Sequence, residues 1–251
     1  MSIEKLEQSL ARGREWRCPQ CGTDYVLLPW AVVPSGACAK CTGEAAVAVG
    51  SLADRLGAAG VPARYRQGFG RSWWVEQFGT PPPKLAAWTP AAGDLVLWGN
   101  RGTGKTGYAA IAVAELLTSG AVQTAFWLRM NEFNETLELA QAGSRGGGAA
   151  GFRAVEAAAE MRRTAIDSQL LVLDELKPAR RTANAAASAS APWIVERIYD
   201  LLAARYDAMR PTIITTNATP TELAAQAEAM ASRALAGATV VKLAGGDRRA
   251  Q

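Results

Sequence analysis

The sequence predicts a parallel α/β sheet flanked by helices, preceded by a small cysteine-bearing module. Three observations predict it. Short apolar runs alternate with helical stretches through the last two thirds of the chain, the pattern of strands joined by crossover helices. Three of those runs end in glycine or polar residues, at the edge where open parallel sheets bind ligands. All four cysteines fall in two close pairs near the N-terminus.

At 251 residues the chain can hold one sizeable core and a small appended unit. With 49% hydrophobic and 20% charged residues it has the composition of a globular protein, not of a disordered one. The net charge is +4 and the basic residues are mostly Arg, which suits phosphate or nucleic-acid contacts and equally a solvated surface. No stretch approaches the ~18 continuous apolar residues of a membrane span. The opening MSIEKLEQSLARGREW is charged and amphipathic, unlike a signal peptide, so a cytoplasmic protein without membrane contact is expected. The absence of histidine leaves carboxylates as the only general bases and cysteine or oxygen as the only metal ligands.

The elements follow in chain order. Cys18-Pro-Gln-Cys21 and Cys38-Ala-Lys-Cys41 are separated by sixteen residues. Two short knuckles each aim two thiolates at one ion and complete a tetrahedron, so the pattern predicts a closed, structural zinc site. A module of residues 1–45 is too small for a core of its own, and zinc would supply folding free energy on the order of 10 kcal/mol. Ala45 to Gly60 reads as a short helix or linker punctuated by glycine, and the boundary between the two units is expected over this linker, 46–60.

The run Asp94 to Trp98 reads as a strand, and Gly107 to Leu117 as a helix. Between them, Gly99-Asn100-Arg101-Gly102-Thr103-Gly104-Lys105-Thr106 fits the phosphate-loop pattern G-x-x-x-x-G-K-[ST]. Glycines let backbone N–H groups curl round phosphates, and the helix N-terminus adds a favourable dipole. Lys105 would reach the β- and γ-oxygens of ATP, and Thr106 would offer its hydroxyl to magnesium. After a strand at Thr124 to Leu128, Leu170 to Leu173 runs straight into Asp174-Glu175. In a P-loop ATPase the first acid holds magnesium and the second orients the attacking water. A further strand, Pro211 to Thr216, ends at Asn217. That amide can face the γ-phosphate or the lytic water, or it can cap the helix that starts near Thr219-Pro220.

The order of these motifs resembles AAA+ ATPases, and more closely the replicative helicase loaders of the DnaC/DnaI type with their relative, the IstB transposition ATPase. The resemblance covers residues 61–251. It is carried by Val61-Pro62-Ala63-Arg64-Tyr65-Arg66, by PWIVERIYDLLAARYDAMRPTIITTN, and by Ser232-Arg233-Ala234-Leu235 followed by GATVVKLAGGDRR. It implies an AAA+ P-loop sheet without a separate lid domain, with Asn217 as a sensor. Arg233 would be an arginine finger offered to a neighbouring subunit's nucleotide, so that copies self-associate through their ATP sites. Arg248 or Arg249 would be a second sensor. It also implies a DnaB-type hexameric helicase and single-stranded DNA as partners, the N-terminal module binding the helicase.

Two segments depart from that pattern. Residues 142–151 (AGSRGGGAAG) read as a flexible glycine-rich insertion, and 177–191 (KPARRTANAAASASA) as a basic loop. Through Arg145, Arg153, Lys177, Arg180 and Arg181 both could grip single-stranded DNA by its backbone, or serve only as surface loops. Two other functions stay open: an IstB-like transposition helper that binds duplex DNA, and a nucleotide-gated zinc adaptor with little hydrolysis.

Overall fold

A computed structural model describes residues 14–22, 24–27, 52–66, 79–146, 148–176, 191–226 and 237–247. Two short strands near the N-terminus, β1 (Arg14–Arg17) and β2 (Asp24–Leu27), pair antiparallel, Trp16 opposite Tyr25. Their connection carries Cys18 and Cys21. It closes with the Gly22 N–H donating to the Cys18 carbonyl at 2.9 Å, Gly22 taking the positive φ of 70° that glycine adopts without cost.

The body opens with helix α1 (Leu52–Ala58), a 3₁₀ turn at Ala63–Tyr65 and a short helix α2 (Pro83–Ala86). Then come β3 (Leu95–Trp98), α3 (Lys105–Ser119), β4 (Ala125–Arg129), α4 (Met130–Gly146) and α5 (Gly148–Asp167). The chain continues with β5 (Leu170–Leu176), α6 (Ala191–Asp207), β6 (Thr212–Thr216), α7 (Pro220–Gln226) and β7 (Thr239–Lys242). The five strands β3–β7 form one parallel sheet in the order β4-β5-β6-β3-β7. This is a parallel α/β sheet with helices packed on both faces. Its order places β6 between the phosphate-loop strand and the acidic strand, so the ends of all three meet at one edge.

Strands buried on both faces are near-continuous aliphatic runs, and their alternation assigns each residue to a face. Leu95, Leu97, Leu170, Val172, Ile213 and Val241 pack with α1 and α3. Val96, Leu171, Leu173 and Ile214 pack with α4, α5 and α6 on the opposite face. Each such side chain contributes about 1.5–3 kcal/mol on burial.

Within the segment read as a short helix or linker, residues 52–58 form helix α1, which buries Leu56, and Val61 follows it into the core. One expectation is corrected. The segment read as a flexible insertion is helical where it is described, 142–146 forming the end of α4 and 148–151 the start of α5. The glycines serve close packing. A Cβ at Gly143 would lie 2.5 Å from the Gly151 Cα, and one at Gly151 would lie 2.5 Å from the Gly143 carbonyl oxygen. The hairpin can close only where neither residue has a side chain.

Arg205, in the last turn of α6, is 1% exposed. Its Nε donates to Thr212 Oγ1 at 3.0 Å, and its guanidinium reaches the carbonyls of Ala165 (2.6 Å), Ser168 (2.9 Å) and Pro211 (2.7 Å). Burial lowers its pKa to about 10, so it stays charged at neutral pH. Beside it, Asp94 accepts the Thr212 N–H at 2.6 Å, and burial raises the pKa of that acid. One side chain thus joins the end of α5 to the start of β6, which fixes β6 in the sheet.

Candidate active site

β3 ends at Trp98, and the chain turns through glycines at φ values of 144° (Gly99), 78° (Gly102) and 90° (Gly104), conformations that L side chains rarely adopt. Thr103 is buried and donates to the Asn100 carbonyl at 3.0 Å, which locks the turn. α3 then starts at Lys105, so the loop's N–H groups and the helix dipole face the same space. The Lys105 amino group, itself buried, is held against the carbonyls of Gly99 (2.8 Å) and Asn100 (2.6 Å). Gly99, Asn100, Arg101, Gly102, Thr103, Gly104, Lys105 and Thr106 thus form one tight glycine-rich turn between β3 and α3, a shape that could cradle a phosphate.

β5 runs past the acids to Leu176, with a register irregularity against β6 between Leu173 and Leu176. Such a bulge re-aims side chains, and here Asp174 is 4% exposed while Glu175 is exposed. Glu175 sits at φ 63°, a left-handed conformation that costs a non-glycine residue on the order of 1 kcal/mol or more. Asp174 Oδ1 accepts from Thr106 Oγ1 at 3.1 Å and from Thr215 Oγ1 at 2.6 Å. Burial raises the pKa of Asp174; the two hydroxyl hydrogen bonds oppose that shift.

Thr106 and Asp174 therefore present adjacent hard oxygen atoms, a donor pair that suits magnesium. Magnesium bound there with ATP would neutralise charge on the β- and γ-phosphate oxygens. Glu175 shares an open cleft with Thr106 and Asp174, facing Pro62, Arg64 and Arg129. An exposed carboxylate so placed can accept a proton from, or orient, a water in the cleft.

Asn217 follows the end of β6 and is exposed. The cap of α7 is supplied instead by Thr219: its hydroxyl accepts the Glu222 N–H at 3.1 Å, and Glu222 Oε2 accepts the Thr219 N–H at 2.7 Å. Cys18 is buried and Cys21 exposed, while Cys38 and Cys41 lie outside the described residues, as do Arg233, Arg248, Arg249, Lys177, Arg180 and Arg181. Arg153 is exposed on α5, and Arg145 belongs to α4. Among the described residues no cluster of three or more His, Cys, Asp or Glu forms a metal site, and no helix is long and apolar enough to cross a membrane.

Sequence reasoning missed Thr215, Arg64 and Arg129 as site residues. The signal for Thr215 was a pair of hydroxyls following Ile213-Ile214 at the end of the strand. For Arg129 it was a cation closing the β4 strand, in register with Asp174.

Solved structures provide the comparison. The chain is similar to replication AAA+ proteins. It matches the DnaC helicase loader at 18% identity and TM-score 0.46, over 70% of this chain and 100% of that one. DnaI matches at 20% identity and TM-score 0.46, over 71% and 82%. AMPPCP-bound DnaA from Aquifex aeolicus matches at 17% identity and TM-score 0.43, over 62% of this chain and 42% of that one, so the match spans less than half of DnaA. No protein-family model and no curated protein matches the sequence.

Proposed function

We propose that this chain is a cytoplasmic ATPase that loads a DnaB-type hexameric helicase onto single-stranded DNA during replication. The observation that carries the ATPase reading is the meeting of Thr106, Asp174 and Glu175 in one open cleft beside the phosphate loop, with Asp174 and Glu175 in two different environments. Lys105 and the loop would bind ATP, Thr106 and Asp174 magnesium, and Glu175 would orient water, with Asn217 sensing the γ-phosphate. Arg233 would complete the site of a neighbouring copy, and such fingers are worth on the order of 10³–10⁵ in rate in other NTPases.

The loader reading is supported by the order of motifs along residues 61–251 and by the cysteine knuckle that precedes them. The β1–β2 hairpin brings Cys18 and Cys21 into one tight turn, which suits a metal knuckle. Cys38 and Cys41 would complete a zinc site in a module of residues 1–45 that grips the helicase. The basic segment 177–191 and Arg153 would hold single-stranded DNA in a salt-dependent way.

Co-purification of the full chain with a candidate hexameric helicase, followed by helicase loading on single-stranded DNA, tests this. ATP-dependent loading that is lost on Cys38→Ser is the expected result. Tight binding to duplex DNA with no helicase captured would instead favour the transposition-helper reading.

A further inference from the structure

Trp127 stands in the middle of β4. Its register partner on β5 is Val172, and two residues on Arg129 pairs with Asp174. Side chains two apart share a sheet face, so Trp127, Val172 and Asp174 stand on the same face, the one covered by α3. Trp127 and Asp174 are diagonal neighbours on adjacent strands, a separation that an aromatic side chain spans.

The indole of Trp127 is 4% exposed, and its N–H has no hydrogen-bond acceptor. Native proteins seldom keep a buried donor unpaired without a use for it. The acid on its face of the sheet is Asp174, whose pKa the Trp127 side chain lowers against the larger effect of burial. Asp174 is already addressed from α3 by Thr106 and from β6 by Thr215, both at Oδ1.

The main chain of Trp127 is fixed as well. Its N–H donates to the Ala59 carbonyl at 2.7 Å, and Gly60 approaches so closely that a Cβ there would lie 3.2 Å from the Trp127 carbonyl oxygen. The same stretch leads within a few residues to Pro62 and Arg64, which line the cleft together with Asp174.

We infer that Trp127 is a positioning residue of the nucleotide site: its indole N–H, which no acceptor occupies, closes on the Asp174 carboxylate from the β4 side as magnesium-bound nucleotide enters and holds it in the receiving orientation. The inference rests on the reading of the cleft as an ATP site. In it, the carboxylate is steadied by three donors from three different elements, and the indole donor is the one without a competing partner. The docking of residues 59–60 on β4 sets where that donor stands.

Trp127→Phe keeps the ring and removes the N–H. Binding of AMPPCP to the full chain, with and without Mg²⁺, reads its effect beside the melting temperature. The gain in affinity that Mg²⁺ confers should fall about 5–10-fold, the scale of one lost hydrogen bond to a charged group, with melting little changed. In ¹⁵N-tryptophan spectra of the wild-type chain, one of the eight indole N–H signals should move on adding Mg²⁺ with AMPPCP and should also move in Asp174→Asn. These spectra decide the matter even if Trp127→Phe does not fold. A Trp127→Phe chain with wild-type Mg²⁺ dependence, or indole spectra in which no signal responds to Asp174→Asn, overturns the inference alone. A wild-type chain that binds no AMPPCP overturns the reading of the site and the inference with it.

Discussion

The Thr215 hydroxyl donates to Asp174 Oδ1 at 2.6 Å and accepts the Glu175 backbone N–H at 2.9 Å, so one side chain on β6 orders both acids of β5. It holds the buried carboxylate toward Thr106 and fixes the left-handed peptide that turns Glu175 outward into the cleft. This is possible only because β6 lies between β3 and β5.

Thr215→Val, nearly the same shape without the hydroxyl, should therefore disturb both acids at once. A hydrogen bond to a charged group is worth about 1.5–3 kcal/mol, so kcat should fall about 10–100-fold while ATP still binds to the phosphate loop. Thr215→Ser should restore most of the rate. Steady-state kinetics on the three proteins would show it, and a Val variant with wild-type kcat would remove Thr215 from the site.

Asp174 should cost the fold stability while serving the site. Because burial raises its pKa above the ordinary 3.8, it favours folding fully only below that value, and the contribution is lost as pH rises through the raised pKa. Asp174→Asn should thus melt at or above the wild-type temperature at pH 8 and lose that advantage toward pH 4, while abolishing hydrolysis. Melting curves of both proteins across that range, without magnesium, check the sign. A variant less stable than wild type at pH 8 would contradict it.

Arg205→Met should destabilise the body by about 3 kcal/mol or more, because the carbonyls of Ala165, Ser168 and Pro211 lose their buried donor. For a chain of this size that corresponds to roughly 6–12 °C in melting temperature. Arg205→Lys should rescue little, since one ammonium cannot span positions that a planar guanidinium bridges. Thermal denaturation of the two variants separates these outcomes.

Gly151→Ala discriminates between packing and propensity. In an exposed helix Ala is favoured over Gly by about 1 kcal/mol, so a glycine kept only for flexibility would yield a stabilised variant. The close approach of Gly143 predicts the opposite sign, a loss of about 1–3 kcal/mol from overpacking. Chemical denaturation of the variant measures it directly.

The phosphate loop, the acidic strand and the parallel sheet were legible because each is a local pattern: glycines at fixed spacing before Lys105, aliphatic runs, and acids after Leu173. What was not legible depends on contacts distant in sequence. Gly143 and Gly151 look like a flexible tract until two helices are seen to cross there. Leu56 looks like linker until it meets α3. Thr215 and Trp127 gain their roles from strand order and register, which no single stretch of sequence encodes. Arg205 carries no local signal of burial within PWIVERIYDLLAARYDAMRPTIITTN, because its partners are main-chain carbonyls up to forty residues away.

The central claim, that the cleft hydrolyses ATP with Glu175 as the group that orients water, is tested most directly by single-turnover hydrolysis in Glu175→Gln. Gln leaves the phosphate loop and Asp174 in place but cannot accept the proton of an attacking water. Glu175→Gln should bind ATP with near wild-type affinity and hold it unhydrolysed, with a rate reduced about 100-fold or more, whereas Lys105→Ala should weaken binding itself. Hydrolysis by Glu175→Gln at the wild-type rate would contradict it.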